Sequence, residues 1–508
     1  MNALQVIMAF LPFVVLFIGF IVFKMDALKL SLIVLVLELL ICGFLYGMGP
    51  LKMIEASLWG NITLWTGFLV LWTGQVFGSC YRNAGLLDVL LKTLGKILPT
   101  KEGKALTLAT VVGGYVGAFN GFATYPVTIP GLKKMGFSGT RAAAAYLVYF
   151  AWNISFVSLW VAANIAAGAT KFPLVSIVQT MGLIAMPLCI SSTIGFFVIL
   201  QFSLKDKDNL LLLVLTCIGN MLGIFLFTQV FPDLYLLSMV ASATFCLLAV
   251  WLLSKKYDKS KFEAEDENEV KYSTKDIMKA FAPLLICMIL VILLSYPLKP
   301  LVTATTFSLS LFGYNATSVS LVNAPGTYVL ITALVCYLFT VKKTAGLGKS
   351  IAMASKRSVP SLLTLLCGGA MVQLMLDTSQ IKLLGDVFVN LGSLGYTGST
   401  GLLAFLCGIA FGQGMPAVRL LSVMQLTGAP AVGLAPIILV GLAAVICMGP
   451  ANPLKPSLLK YTSSLADIKG EDGKIFNLNL PWEILGAVIA LIMGIILIYT
   501  GWLPVGMS

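Results

Sequence analysis

The stretch LQVIMAFLPFVVLFIGFIVF, from Leu4 to Phe23, runs for 20 residues without a charge. An α-helix rises 1.5 Å per residue, so about 20 apolar residues cross the roughly 30 Å of hydrocarbon in a bilayer. Such runs recur along the 508-residue chain, which is 59% hydrophobic and only 11% charged. Soluble domains carry about 25% charged residues. In lipid every backbone N–H and C=O must be satisfied inside the protein, which leaves helices or a closed barrel. Long continuous runs select helices, so the expected fold is an all-α polytopic membrane protein of the cell (plasma or inner) membrane. The first run lacks a basic lead-in and a small-residue cleavage site, and is expected to be a retained span.

Spans are expected near 4–23, 30–47, 61–80, 142–167, 174–203, 209–228, 231–254, 279–297, 301–322, 324–341, 358–378 and 482–503. Broken segments fall at 105–130 and 400–418, and a long interrupted one at 428–466. The sum is about twelve to fourteen membrane segments. The net charge of +12 would suggest nucleic acid for a soluble protein. Here the positive-inside rule accounts for it, and no nucleic-acid partner is expected. With the N-terminus outside, Lys24, Lys29, Arg82, Lys92, Lys101, Lys205, Lys207 and the Lys342–Arg357 group all face the cytoplasm. The same walk requires 105–130 to return to the side it entered, because Lys133, Lys134 and Arg141 follow it. A charged stretch at 255–276 would be a cytoplasmic linker between two halves, 1–254 and 277–508. The segment Asn83–Leu98 repeats Leu and Val at helical spacing, with Lys92 and Lys96 on its polar side. It is expected to lie along the cytoplasmic interface.

The segment VGGYVGAFNGFATYPVTIPGLKKMGF, Val112 to Phe137, concentrates helix breakers at membrane depth. It has a partner in CGIAFGQGMPAVRLLSVMQLTGAP, Cys407 to Pro430. In the first, Ala118-Phe119 precedes Gly121 and Pro126; in the second, Ala410-Phe411 precedes Gly412, Gly414 and Pro416. Each leads into a small-residue apolar span and then a polar break, WNISFVS in one and GPANPLKPS in the other. Paired Gly/Pro-interrupted segments point to a transporter's binding site. Their freed backbone groups are tolerable only where protein, water or substrate satisfies them. The expectation is two inverted-topology repeats, each with a re-entrant hairpin (about 105–130 and about 400–427) and an interrupted transmembrane helix. Tight helix packing through glycine would explain isolated Gly pairs equally well.

These features resemble the L-lactate permease family. Its Gly-rich segment, its connector ending in GF and its Asn-centred span fall here as Gly117-Ala118-Phe119, Pro126-Val127, Gly136-Phe137 and Asn153-Ile154-Ser155-Phe156-Val157. A looser second-half match lies at Gly412–Pro416, Gly449 and Lys455-Pro456-Ser457. Where the family commonly carries an acidic residue, this chain has Asn120-Gly121. The resemblance implies uptake of a small 2-hydroxy monocarboxylate, such as lactate or glycolate, by proton symport.

Donors and acceptors for such a substrate are expected at the breaks: Asn120, Gly121, Thr124 and Tyr125, then Asn153 and Ser155, then Gln413, Gly414 and Asn452. Arg419 and Lys455 are the two candidate carboxylate ligands. Ionisable residues at membrane depth are functional candidates by default, which selects Glu38 and Asp377 for ion coupling. The expected partners are a small carboxylate and membrane lipid, and the sequence leaves room for a homodimer. No cofactor is expected beyond the coupling proton or a sodium ion. Sodium coupling to another carboxylate is the main alternative, since carbonyl-rich breaks also suit sodium. The chain has no His, no CxxC among its ten Cys and no Walker A sequence. These exclude His-based catalysis or metal binding and argue against ATP-driven transport, and an integral-membrane enzyme is disfavoured.

Overall fold

The computed structural model describes residues 3–23, 25–94, 100–118, 121, 124–256, 272–295, 297–322, 324–411, 414–468 and 470–505. Most of the expected linker, 257–271, therefore lies outside the described residues.

The first half begins with α1 (Ala3–Ile21) and α2 (Ala27–Phe44), the latter capped where Asp26 Oδ1 accepts the Leu28 N–H at 3.1 Å. Next come α3 (Pro50–Ile62), α4 (Trp65–Asn83) and the short α5 (Leu86–Leu94). Leu86, Val89 and Leu90 are buried, and α5 packs on α4 and on a later helix, Thr274–Ser295. Its apolar face is thus turned into the protein, not laid on the membrane surface as expected.

Helix α6 (Lys101–Val111), capped by Thr100, widens into a π-helical turn at Val112–Val116 and stops. The chain returns as α7 (Tyr125–Lys134). Lys101 Nζ lies 4.3 Å from the centre of the Phe137 ring, so both ends of this hairpin meet at one face. Then α8 (Gly139–Ile154) and α9 (Val157–Thr170) are separated by Ser155 and Phe156 alone. The half closes with α10 (Leu174–Ala185), α11 (Leu188–Ile199), α12 (Lys207–Phe225) and α13 (Ser238–Ser254).

In the second half, α14 (Thr274–Ser295) leads to the short α15 (Lys299–Ala304) and a two-stranded antiparallel hairpin, β1 (Phe307–Leu309) and β2 (Thr317–Val319). The expected span at 301–322 does not exist. Its Ser/Thr alternation has strand period, and Phe312 and Gly313, in the loop 310–316 that joins the strands, both take positive φ. Then follow α16 (Pro325–Val335), α17 (Leu347–Asp377), α18 (Gln380–Val389), and a second hairpin of α19 (Gly392–Ala410) and α20 (Gly414–Ala431). Tyr396 near the start of α19 stands against Gly428 near the end of α20, so this hairpin also closes on itself. Helix α21 (Pro436–Met448), a 3₁₀ turn at Asn452–Leu454, α22 (Pro456–Leu465) and α23 (Asp472–Tyr499) complete the chain.

Seven helices among the described residues are individually long and apolar enough to span a bilayer, and α10 and α11 are long and apolar enough only together, with a 43° bend between them. The rest of the expected membrane segments are shorter helices and halves of broken ones. The halves are the most enclosed parts: every residue from Ala142 to Ile154 of α8 and from Ile437 to Met448 of α21 is buried. Large apolar side chains such as Ile7, Phe44, Trp251 and Leu402 cover the outer surface, as expected for contact with lipid.

The basic segments gather at one face. Lys133 Nζ meets Asp467 Oδ2 at 2.7 Å, Arg141 donates to Gln201 at 2.5 Å, and Lys460 lies 3.8 Å from Asp26. The Val341 N–H donates to Ala84 O at 3.0 Å, which brings the Lys342 segment beside Arg82. At this face the Thr140 hydroxyl, with Lys474, holds the Glu471 carboxyl below its usual range.

Close helix contact depends on Gly60, where an added Cβ would stand 2.1 Å from Gly369 O of α17. Gly398 of α19 has nothing within 4 Å. Gly60→Ala should therefore cost about 1–3 kcal/mol of stability, while Gly398→Ala is neutral or stabilising. Thermal unfolding in detergent checks this, and equal melting temperatures for the two variants would contradict the packing described.

Candidate functional site

The four breaks abut one another. In the first hairpin Thr124 Oγ1 donates to Gly121 O at 2.7 Å, which caps the freed carbonyl ahead of α7. A Cβ at Gly113 or Gly117 would crowd Phe150, and one at Gly113 would come within 3.3 Å of the Asn153 amide nitrogen. The Tyr125 ring is buried edge-on between Tyr146 and Phe150, with centroids 5.6 Å away in each case. Tyr125 and Asn452 line the same cavity, so the first hairpin meets the break after α21.

The α8/α9 break rests on that same turn. Phe156 N–H donates to Asn153 O at 2.8 Å, and Ser155 Oγ donates to Val445 O of α21 at 3.5 Å. A Cβ at Gly449 would stand 3.2 Å from Ser155 Oγ. The second hairpin reaches it from the other side: a Cβ at Gly414 would lie 2.4 Å from Met448 Sδ and 3.3 Å from Lys455 Nζ. Glycine at the start of α20 is what lets that ammonium approach the helix end.

Between these breaks lies a narrow cavity of about 40 Å³, lined by Gly121, Tyr125, Val157, Gly414, Met415, Met448, Asn452 and Lys455 among others. Its size suffices for a few waters, and two flexible Met side chains in its wall can yield to something larger. Helices α7, α9, α20 and α22 all begin at or beside this wall. Each helix N-terminus carries roughly half a positive charge. Lys455 is 3% exposed, and its Nζ donates to Asn452 Oδ1 at 2.7 Å. Among the described residues no carboxylate pairs with it.

Of the residues expected at the site, Gly121, Tyr125, Gly414, Asn452 and Lys455 line this cavity. Thr124 adjoins it, and Asn153 and Ser155 brace its wall from behind. Asn120 and Gln413 lie outside the described residues. Arg419, Asp377 and Glu38 do not line it; they belong to a second polar cluster.

That cluster starts one turn along α20. Arg419 donates to Gln373 Oε1 at 2.5 Å and to Gly60 O at 3.4 Å, and Gln373 donates to Asp377 Oδ1 at 2.7 Å. The Asp377 carboxylate also accepts from the Tyr314 hydroxyl. Gln380 donates to Glu38 Oε1 at 2.6 Å and to Thr378 Oγ1 at 2.9 Å, and the fully buried Glu38 keeps Oε2 unpartnered. Asp377, Thr378, Ser379, Tyr46, Lys52 and Tyr314 surround an open vestibule of about 480 Å³. Tyr314, at the turn between β1 and β2, stacks on Trp59 at 5.5 Å with Lys52 Nζ 4.2 Å above its own ring.

Tyr314 and Gln373 escaped the sequence reading. One sat in a segment read as a weak span, and the other is an uncharged residue inside a long apolar helix. Asn479 and Glu483 of α23 also escaped it, because the span was expected to begin only at 482.

Gln373 bridges Arg419 to Asp377, so Gln373→Leu should destabilise the protein by about 1–3 kcal/mol, the cost of leaving a buried polar group unmade. Asp377→Asn in the same background should then cost less than it does alone. Additive effects in this double-mutant cycle would contradict a connected network.

A comparison with curated protein sequences finds no match. The sequence model for the L-lactate permease family matches residues 5–501, nearly the whole chain. With its membrane-length helices, the chain is a multi-pass membrane transporter and belongs to the L-lactate permease family.

Proposed function

We propose that the protein imports a small 2-hydroxy monocarboxylate, of the lactate or glycolate type, by proton symport. One observation carries the substrate class. A buried ammonium, Lys455, with no carboxylate among the described residues to balance it, faces a cavity on which four helix N-termini converge. An isolated buried charge is costly unless paired, and an anion entering that cavity supplies the missing partner. The carboxylate would bind Lys455 Nζ. The Tyr125 hydroxyl and Asn452 amide stand beside it for the 2-hydroxyl group.

The architecture is read as two inverted-topology repeats, 1–254 and 277–508, with the basic face cytoplasmic and the N-terminus outside. The first hairpin opens toward the basic face, at Lys101 and Phe137. The second follows α18, whose first residue adjoins the vestibule at Ser379. Each hairpin precedes an interrupted helix, α8/α9 or α21/α22. In this reading the vestibule is extracellular, the Tyr314 turn restricts entry, and Asp377 and Glu38 receive the incoming proton. Arg419, already linked to Asp377 through Gln373, serves this outer gate rather than the substrate carboxylate.

Lys455→Met should weaken L-lactate binding about 10- to 100-fold, the loss of a charge-assisted hydrogen bond of about 1.5–3 kcal/mol. Arg419→Lys should slow uptake while leaving the Kd unchanged. Calorimetric binding and uptake by proteoliposomes test both. Loss of affinity in Arg419→Lys alone would reassign the carboxylate ligand. Uptake that follows a sodium gradient and ignores a proton gradient would contradict symport with protons.

A further inference from the structure

Helix α23 turns a stripe of Ile475, Asn479, Glu483, Gly486, Ala490, Gly494 and Leu497 into the protein. Apolar or small side chains would serve packing at every position of such a stripe, yet Asn479 and Glu483 occupy adjacent turns near the middle of the helix. Glu483 is 2% exposed, and among the described residues neither its Oε1 nor either amide atom of Asn479 has a hydrogen-bond partner. Helices α8, α10, α11, α19, α21 and α22 and the 3₁₀ turn of Asn452–Leu454 pack against this helix. Gly486, in the next turn, adjoins Pro450 and Ser191: a Cβ there would stand 3.3 Å from Pro450 Cγ and 3.6 Å from Ser191 Oγ. Glu483 therefore lies behind the turn that carries Asn452 and Lys455.

A carboxylate fixed in that position would be a buried charge without compensation, which is costly at membrane depth. The titratable groups on the packed elements are Arg141, Tyr146 and Tyr149 of α8, Cys189 of α11, Tyr396 and Cys407 of α19, Cys447 of α21, Lys460 and Tyr461 of α22, Lys455 beside the 3₁₀ turn and, across the break, Tyr125. The 3₁₀ turn that packs on α23 carries Asn452 and leads into Lys455, and both line the cavity together with Tyr125. The substrate site and the buried carboxyl thus share that turn.

We infer that Glu483, one turn beyond Asn479, is the carboxyl that carries the coupling proton through the membrane alongside the substrate. This rests on the reading of the protein as a carboxylate–proton symporter. The group cycles between –COO⁻ and –COOH: it takes one proton from the outer side and loses the same proton to the cytoplasmic side. A substrate anion and one proton together move no net charge. Single Glu and Asn side chains give few oxygens for a sodium ion, which favours the proton.

Glu483→Gln keeps the shape of a neutral carboxyl and removes its proton chemistry. In proteoliposomes the variant should still exchange labelled L-lactate for unlabelled L-lactate, but an inward proton gradient should no longer drive accumulation above equilibrium. Infrared difference spectra should show the carbonyl band of a neutral carboxyl in the unmodified protein and its loss in Glu483→Gln. Glu483→Asp should retain the band and part of the accumulation. Gradient-driven accumulation by Glu483→Gln, or an unchanged infrared band, would overturn the assignment. If the unmodified protein exchanges no 2-hydroxy acid, the substrate reading fails, and the infrared comparison still decides whether Glu483 holds a proton.

Discussion

A helix interrupted inside hydrocarbon leaves backbone groups that lipid cannot satisfy, and among the described residues four such interruptions meet at one place. The arrangement is tolerable because the breaks satisfy one another. Thr124 returns to Gly121, Ser155 reaches α21, Tyr125 and Asn452 face one cavity, and Gly414 admits Lys455. Enclosure follows from this: α8 and α21, the first halves of the two interrupted helices, are buried because each must deliver its broken end to the same place. The surrounding helices with exposed apolar faces keep lipid away from that centre.

The two buried cations are treated differently. Arg419 has its charge answered by Asp377 through Gln373, and the whole chain of contacts ends at the vestibule. Lys455 has Asn452 as its hydrogen-bond partner and no carboxylate among the described residues. A satisfied network rigidifies; an uncompensated ammonium attracts an anion. In the proposed function that contrast separates a gate from a binding site, although both residues follow helix breakers and both look alike as sequence.

The helical, membrane-embedded character of the chain was legible from apolar runs such as Leu4–Phe23, since hydrocarbon permits little else. The paired Gly/Pro segments likewise located the breaks, because glycine at Gly414 and proline at Pro126 serve backbone needs visible without coordinates. Sequence could not place the two breaks against each other, since Tyr125 and Asn452 lie far apart along the chain. The segment 301–322 looked apolar enough for a weak span, but its Ser/Thr alternation and its Phe312-Gly313 turn made a surface hairpin. Asn83–Leu98 had the amphipathic pattern of an interfacial helix, yet α5 packs that face against α14, a partner that pattern does not specify. Glu483 stood at the start of the span expected at 482–503, whereas the helix begins at Asp472 and places Glu483 well inside it.

The central claim is that the Lys455 ammonium holds the substrate carboxylate. Solid-state NMR on protein with ¹⁵N at lysine Nζ and bound ¹³C-carboxyl L-lactate measures that contact directly, with Lys455→Met assigning the signal. The account predicts dipolar dephasing from a charge-assisted hydrogen bond, with nitrogen and oxygen about 2.8 Å apart. Bound lactate whose carboxyl carbon shows no coupling to any lysine nitrogen would contradict it.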